Sequence, residues 1–319
     1  MTPEAGAILV TETVDARYGD ALDGAAPARP RVLLGPAGLD GRHEDVEVAF
    51  FSGDCFGARA RDFMVAALKA RNLRWLHSAS AGVDHEVFQR FLERGVRLTT
   101  SSGAQAVPIA HTVLLYLLAL SRDLPGWLAD QQAHRWRTRS IHDLTGDLLG
   151  VVGLGPIGLE VARLGLALGM RVVGVRRHPR GDEICETWSL DRLPELLTEL
   201  DHLVLALPLT PETHHLLGRQ ALSLLKPTAT LVNVGRGAVV DETELVRALQ
   251  EGRLAGAGLD VFEQEPLPAQ SPLWDLPNVI VTPHSSGTNP GNEERAAHLF
   301  LENLRRFEAG RSLRNEVGR

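Results

Sequence analysis

The sequence has few cysteines, no long hydrophobic run and no excess of basic residues, and each of these absences argues against a class of protein. Its two cysteines, Cys55 and Cys185, lie far apart in the 319-residue chain, which argues against a disulfide framework and a cysteine metal site. No apolar run approaches the roughly 18 residues of a membrane span, and the N-terminal segment lacks a basic stretch followed by an apolar core. The formal net charge of -7 gives no general attraction to nucleic acid or anionic lipid. We therefore expect a cytoplasmic protein without a metal and without nucleic-acid or membrane partners.

What the sequence does contain is an alternation of strand-like and helix-like segments. Hydrophobic residues make up 44% and charged residues 23%, an ordinary globular balance, and the length allows two domains. The alternation predicts the α/β class, with two Rossmann-like or flavodoxin-like domains that each hold a doubly wound parallel sheet. The predicted strands cover residues 7–10, 31–34, 46–51, 73–77, 96–99, 148–152, 171–175, 202–206, 230–234, 254–259 and 279–282. The predicted helices cover residues 63–71, 85–94, 109–120, 157–168, 242–251 and 293–307.

The most specific motif is a glycine-rich run between a predicted strand and a predicted helix, Gly153-Leu154-Gly155-Pro156-Ile157-Gly158. In this context the first glycine permits a tight turn, the second lets the backbone approach a pyrophosphate, and the third lets helix and strand pack closely. Free N–H groups at the start of the helix attract the negative charge. The motif predicts a dinucleotide site, against the alternative of a glycine turn that binds nothing.

Further segments place polar residues at the ends of predicted strands, where open parallel sheets bind ligands. They are Ser80-Ala81-Gly82-Val83-Asp84, Asn233-Val234-Gly235-Arg236-Gly237, Asp260-Val261-Phe262-Glu263-Gln264-Glu265-Pro266-Leu267 and Thr282-Pro283-His284-Ser285-Ser286-Gly287. With residues 207–213 and 272–279, their order and spacing resemble the D-2-hydroxyacid dehydrogenase family over essentially the whole chain. The resemblance implies a substrate-binding domain of residues 1–103 and 290–319, and a dinucleotide-binding domain of residues 104–289.

The resemblance assigns catalysis to Arg236, Glu265 and His284. His284 would donate a proton to the oxygen of a 2-keto acid as hydride reaches the carbonyl carbon, because an imidazolium donates near neutral pH. Glu265 would hold the ring in one orientation and favour its charged form. Arg236 stays charged and offers several donors, so it would bind the substrate carboxylate and polarise the carbonyl. We expect the flanking Gly235 and Gly237 to leave room for nicotinamide and substrate.

The resemblance also implies the residues that bind substrate and cofactor. Backbone N–H groups around Ala81, Gly82 and Val83 would hold the substrate carboxylate together with Arg236 and His284. The cofactor would contact the glycine motif and a set of residues near strand ends: Arg176, Arg177, Leu207, Pro208, Thr213, Val234, Gly235, Arg236, Asp260, His284, Ser286 and Gly287. Plain structural alternatives exist, such as a surface cation for Arg236 and a turn residue for Glu265.

Two arginines occupy the position where NAD-binding chains carry an acidic residue. That acid ends the second strand, about 20 residues beyond the glycines, and accepts hydrogen bonds from the adenosine ribose. Here the position is Arg176, with Arg177 next to it and Arg180 nearby. An arginine pair cannot accept from a ribose hydroxyl, but it can bind a 2′-phosphate through forked hydrogen bonds. We predict NADP(H) over NAD(H); if the arginines are only solvated, NAD(H) is the alternative.

These features predict an oxidoreductase that transfers a hydride between NADP(H) and a small 2-keto or D-2-hydroxy acid, favouring reduction of glyoxylate or hydroxypyruvate. The alternatives are an NAD-linked D-2-hydroxyacid dehydrogenase of other specificity and a nucleotide-sensing, corepressor-like binding protein on the same fold. The resemblance implies a homodimer whose contact is the segment from Ile109 to Asp143. Within it, we interpret Trp127 and Trp136 as core residues rather than subunit contacts.

Overall fold

The computed structural model describes residues 5–57, 59–83 and 85–318, and its contacts separate the chain into two units. The first unit contains the chain up to Ala104 and from Asn289 onward, and the second runs from Gln105 to Thr288. This division lies one residue from each of the two predicted boundaries. The assignment of substrate to one unit and cofactor to the other stays a prediction.

Strands and helices alternate along most of the described chain. The strands are β1 (Ala7–Thr11), β2 (Arg31–Gly35), β3 (Gly38–Asp40), β4 (Val46–Phe51), β5 (Trp75–Ser78), β6 (Arg97–Thr100), β7 (Leu148–Val152), β8 (Arg171–Val175), β9 (Glu186–Trp188), β10 (His202–Leu205), β11 (Thr230–Asn233), β12 (Gly256–Leu259) and β13 (Val279–Val281). The α-helices are α1 (Glu12–Ala25), α2 (Ala60–Lys69), α3 (Glu86–Glu93), α4 (Ala106–Ser121), α5 (Leu124–Gln132), α6 (Pro156–Ala167), α7 (Leu193–Glu199), α8 (Arg219–Leu224), α9 (Glu242–Gln250) and α10 (Asn292–Glu308).

The first unit is a six-stranded sheet in the order β3-β2-β1-β4-β5-β6, parallel except for the edge strand β3. Alternate side chains of β1 point to opposite faces, so Leu9 joins one apolar cluster while Ile8 and Val10 join the other. Helices α2 and α3 supply the first cluster, and α1 and α10 supply the second. Apart from β3, the strand order is that of flavodoxin-like folds.

The second unit is a seven-stranded, wholly parallel sheet in the order β13-β12-β11-β10-β7-β8-β9. Helices α4 and α6 cover one face, and α7, α8 and α9 cover the other. Strands β8 and β9 are added on one side of β7, and β10 to β13 are added on the other, so the strand order reverses between β7 and β10. Open α/β sheets bind ligands at such a point, beyond the carboxyl ends of the strands. The two sheets confirm the predicted α/β class.

Some elements differ from the sequence prediction. Helix α1 was not predicted, since it buries only Val14, Leu22 and Ala25 and contains two glycines, which weaken a helical pattern. The edge strands β3 and β9 are only three residues long and carry no apolar run. The interpretation of Trp127 and Trp136 as core residues is wrong, because Trp127 is 40% exposed and Trp136 is fully exposed.

Taken one at a time, the helices of the described residues are too short or too polar to cross a membrane. Only α4 and α5 together meet the length and composition of a span, and they are bent by 66° at the break between them.

Candidate active site

The predicted glycine motif forms the turn from β7 into α6, at the switch point of the second sheet. Gly153 has a φ of +100°, and a Cβ there would lie 2.6 Å from the carbonyl oxygen of Ala206. A Cβ on Gly158 would lie 2.0 Å from the carbonyl oxygen of Gly153, so helix and turn touch through backbone. A Cβ on Gly155, by contrast, would meet no atom within 4 Å among the described residues other than its chain neighbours. The turn is therefore packed on its protein side and open at the start of α6, which fits a bound pyrophosphate.

His284 and Glu265 form a hydrogen-bonded pair on the same unit. Nδ1 of His284 lies 2.8 Å from one carboxylate oxygen of Glu265, and the other oxygen accepts the N–H of Phe262 at 3.0 Å. Their side chains are 50% and 36% exposed. Within the described residues, Nε2 of His284 has no protein hydrogen-bond partner. The ring therefore has one nitrogen held by an anion and the other directed away from that anion, as a proton donor requires.

A buried carboxylate, that of Asp260, holds the turn that carries His284. Asp260 is 1% exposed, and its side chain accepts hydrogen bonds from the N–H groups of Ser285 and Ser286 and from the hydroxyl of Ser286. Its backbone oxygen accepts the N–H of His284 at 2.8 Å. This bracing fixes a backbone in which His284 has a φ of +50°. The sequence assigned Asp260 and Ser286 to the cofactor; that role stays a prediction, and the bracing was not foreseen.

Two residues that the sequence analysis did not assign to the site, Tyr116 and Thr282, extend this brace into the helical layer. The hydroxyl of Thr282 donates to Asp260, and the hydroxyl of Tyr116 in α4 lies 2.5 Å from that of Thr282. Burial raises the pKa of Tyr116 to about 12, so its hydroxyl stays protonated. The ring packs on β12, where a Cβ on Gly258 would lie 2.5 Å from Cγ of Tyr116. In the sequence, the only sign of this close approach was that a glycine, Gly258, stands in the middle of a predicted strand.

Arg236 lies on the loop after β11, next to the segment that carries Glu265. Asn233 shapes this loop, because its side chain accepts the N–H of Gly235 and donates to the backbone oxygen of Arg236, both at 3.0 Å. The flanking glycines have a structural reason that was not predicted, while the room they were expected to leave for nicotinamide and substrate stays a prediction. A Cβ on Gly235 would lie 2.7 Å from the oxygen of Leu207, and one on Gly237 would lie 1.8 Å from the carbonyl carbon of Phe262. These glycines allow neighbouring loops of the chain to touch, and so bring the Arg236 loop to the Glu265 segment.

The remaining predicted cofactor residues lie near the carboxyl ends of the same sheet. The two arginines follow β8: Arg176 pairs with Glu183 at 3.2 Å, and the more exposed Arg177 lies 3.4 Å from Glu212. Thr213 braces the loop after β10 by donating to the backbone oxygen of Pro208 at 2.8 Å. The others are the buried Leu207, Val234 and Ser286, and Gly287, where a Cβ would lie 2.9 Å from Oε1 of Gln105.

The predicted substrate loop follows β5 in the first unit. The hydroxyl of Ser80 donates to the backbone oxygen of Gly82 at 2.7 Å and lies 2.8 Å from the hydroxyl of Ser78. Ala81 is exposed, Gly82 and Val83 are half-buried, and Asp84 lies outside the described residues. The two serines therefore fix the path of the backbone whose N–H groups are predicted to bind the carboxylate.

A parallel sheet with a glycine turn at its switch point, and a histidine–glutamate pair beyond neighbouring strands, is typical of nicotinamide-dependent oxidoreductases. Residues 114–286 match the family described as D-isomer specific 2-hydroxyacid dehydrogenase, NAD binding domain. The chain belongs to this family, whose members are oxidoreductases that act on CH–OH donors.

Individual relatives agree with this family. The chain is 37% identical to a glyoxylate reductase of Thermococcus gammatolerans, over 76% of this chain and 75% of the relative. It is 39% identical to a glyoxylate/hydroxypyruvate reductase B of Pectobacterium carotovorum, over 74% and 76% of the two chains. Its fold is similar to the crystal structure of a D-isomer specific 2-hydroxyacid dehydrogenase from Xanthobacter autotrophicus in complex with NADPH and MES. That similarity has a TM-score of 0.81, with 34% identity and 98% of both chains covered.

Proposed function

We propose that this protein is an NADPH-dependent reductase of small 2-keto acids of the glyoxylate and hydroxypyruvate type, which it converts to D-2-hydroxy acids. The observation that carries the proposal is the pair formed by His284 and Glu265, with Nε2 of the histidine directed away from the carboxylate. This pair lies on the unit that also holds the glycine turn. The names of the relatives above support the substrate class.

The proton in this reaction comes from His284. When bound, the nicotinamide supplies hydride to the carbonyl carbon, and negative charge develops on the carbonyl oxygen. His284 donates the Nε2 proton to that oxygen. Glu265, whose carboxylate lies 2.8 Å from Nδ1, keeps the ring in one orientation with Nε2 turned away from the carboxylate.

Arg236 and the first-unit loop bind the substrate anion. The guanidinium of Arg236 has a forked set of donors that match a carboxylate, and one of its nitrogens donates to the oxygen of Gly235 at 2.8 Å, which orients the group. The same charge polarises the carbonyl. The N–H groups of Ala81, Gly82 and Val83 add donors for the carboxylate.

Recognition of the cofactor's 2′-phosphate is assigned to Arg176 and Arg177. Both follow β8, where a ribose-binding acid would stand in an NAD enzyme. Their two carboxylate partners differ in exposure, with Glu183 at 4% and Glu212 at 62%. Because arginines at this position can bind a 2′-phosphate, we propose NADP(H) as the cofactor. We also propose reduction as the direction in which the enzyme works.

We also propose that two copies of the chain associate through residues 109–143. Large apolar side chains are exposed along and just before this segment, which for a lone chain is an unusually apolar surface. They are Val107, Leu115, Leu118, Trp127, Leu128, Trp136 and Ile141.

The proposed reaction is tested by initial rates of NADPH and NADH oxidation with glyoxylate, hydroxypyruvate, pyruvate and bulkier 2-keto acids. We expect turnover with NADPH, and a loss of about 10² to 10⁴-fold in His284→Ala with NADPH binding retained. Loss of cofactor binding in that variant would contradict its role as proton donor. Arg176→Ala combined with Arg177→Ala should raise the KM for NADPH far more than for NADH, and equal effects would remove the argument for phosphate recognition. Cofactor binding without turnover on any acid would favour a nucleotide-sensing binding protein.

A further inference from the structure

The loop between β8 and β9 folds back on itself, so that Glu183 and Trp188 near its end bind Arg176 at its start. The N–H of Arg176 donates to the backbone oxygen of Trp188 in β9 at 3.1 Å, which fixes the backbone of the arginine. Its guanidinium Nη1 lies 3.2 Å from Oε1 of Glu183, seven residues later. The side chains of the pair are only 20% and 4% exposed. The arginine is therefore held at both its backbone and its side chain.

The carboxylate of Glu183 also holds the loop between these two residues. One oxygen accepts the N–H of Arg180 at 2.8 Å, and the other accepts the N–H of Gly181 at 2.7 Å. These backbone donors, with Arg176 beside them, hold the pKa of Glu183 below its usual value, so the group is an anion at neutral pH. Gly181 turns the chain here with a φ of +85°. Three donors from three residues thus converge on one buried carboxylate.

We propose that Glu183 is a positioning residue for cofactor specificity, which holds the guanidinium of Arg176 in place for binding of the 2′-phosphate. This inference rests on the NADP(H) preference proposed above. A long arginine side chain loses rotamer freedom when it binds an anion, and an arginine already held in place loses less. Glu183 therefore acts through Arg176 rather than on the phosphate itself.

The surroundings of Glu183 argue against two other roles. It is not the missing ribose acceptor, since its side chain is 4% exposed and both of its oxygens already accept hydrogen bonds from the loop. Nor is it an ordinary surface partner. Glu212 is such a partner, because it pairs with Arg177 at 3.4 Å and both of those side chains are more than 60% exposed. Glu212 is therefore a matched control for Glu183.

The test compares Glu183→Gln with Glu212→Gln. The glutamine keeps the size of the side chain but places an NH₂ group against the backbone or arginine donors, so it cannot accept all three hydrogen bonds. For Glu183→Gln we expect the KM for NADPH to rise about fivefold, while kcat and the KM for NADH stay within about twofold. For Glu212→Gln we expect both KM values to stay within about twofold. Calorimetric binding of adenosine 2′,5′-bisphosphate should weaken in Glu183→Gln alone, whereas binding of 5′-AMP should not change.

The outcomes separate this inference from the proposed function. In the background of Arg176→Ala, the change Glu183→Gln should add no further loss of NADPH specificity, because its effect passes through that arginine. The role of Glu183 would be overturned if Glu183→Gln raised the KM values for NADPH and NADH equally or changed neither of them. A stronger preference for NADPH in this variant would overturn it as well. If Arg176→Ala lowers binding of adenosine 2′,5′-bisphosphate and Glu183→Gln does not, only this inference fails. If neither variant changes that binding, the proposed phosphate recognition fails with it.

Discussion

A buried histidine of the first unit makes the stability of that unit depend on pH. His77 in β5 is fully buried, and its ring nitrogens lie 2.6 Å from the hydroxyl of Thr99 and 3.0 Å from that of Ser101. The hydroxyl of Thr99 also accepts the indole N–H of Trp75 at 2.8 Å. Burial lowers the pKa of His77 to about 3, because the charged form of the ring would lose its hydration there. The native ring is therefore neutral throughout the working range of pH.

The sign and size of the effect follow from linkage. In the unfolded chain a histidine has a pKa of about 6.5, so only the unfolded state gains a proton as the pH falls from 7 towards 5. The contribution of His77 is fully present above about pH 6.5 and is lost progressively below it, towards its folded pKa of about 3. Between pH 7 and pH 5 this loss amounts to about 2 kcal/mol of the free energy of unfolding.

The perturbation is His77→Gln, which removes the titrating group but keeps hydrogen-bonding capacity. Urea unfolding followed by circular dichroism at pH 5, 6, 7 and 8, at fixed protein concentration, gives the free energy of unfolding for each chain. The variant is expected to start less stable but to lose about 2 kcal/mol less than the wild type between pH 7 and 5. His298→Gln, an exposed histidine of the same unit, should retain the wild-type dependence. Identical pH dependence in His77→Gln and the wild type would refute the argument.

Two further predictions concern the glycine turn and the exposed apolar side chains of residues 109–143. Gly158→Ala should lower the free energy of unfolding by about 1–3 kcal/mol, because its Cβ would lie 2.0 Å from the oxygen of Gly153. The same variant should also bind NADPH more weakly. Gly155→Ala should reduce only the affinity in a fluorescence titration, since among the described residues other than its chain neighbours no atom lies within 4 Å of a Cβ at this position. Equal losses of stability in the two variants would contradict this contrast. Sedimentation equilibrium should give twice the 34.7 kDa mass of one chain, and Leu115→Glu in α4 should lower it. A wild-type mass of one chain would exclude the proposed association.

The predicted parts of the fold were those with a strong local signal. β7 and β8 have the bounds predicted from their apolar runs, because a buried parallel strand is apolar on both faces. The hydrogen bonds of the site could not be predicted from local sequence patterns. Asp260 was recognised as part of a motif, but its hydrogen bonds to Ser286 and to the turn of His284 depend on how the segments after β12 and β13 meet. Glu183 was missed for the same reason, since its spacing from Arg176 matches no recurrent motif.

The brace of Asp260 has a consequence for how such an enzyme diversifies. The glycine turn, Glu265, His284 and the carboxylate that holds the histidine all belong to the unit from Gln105 to Thr288. The loop proposed to bind the substrate carboxylate belongs to the other unit, where the hydroxyl of Ser80 fixes its path by donating to the backbone oxygen of Gly82. We therefore expect substitutions in the substrate loop of the first unit to change which acid is accepted, while the turn of His284 keeps its hydrogen bonds to Asp260. A chimera that exchanges the first unit for that of a relative should inherit the relative's substrate range and keep its own cofactor preference.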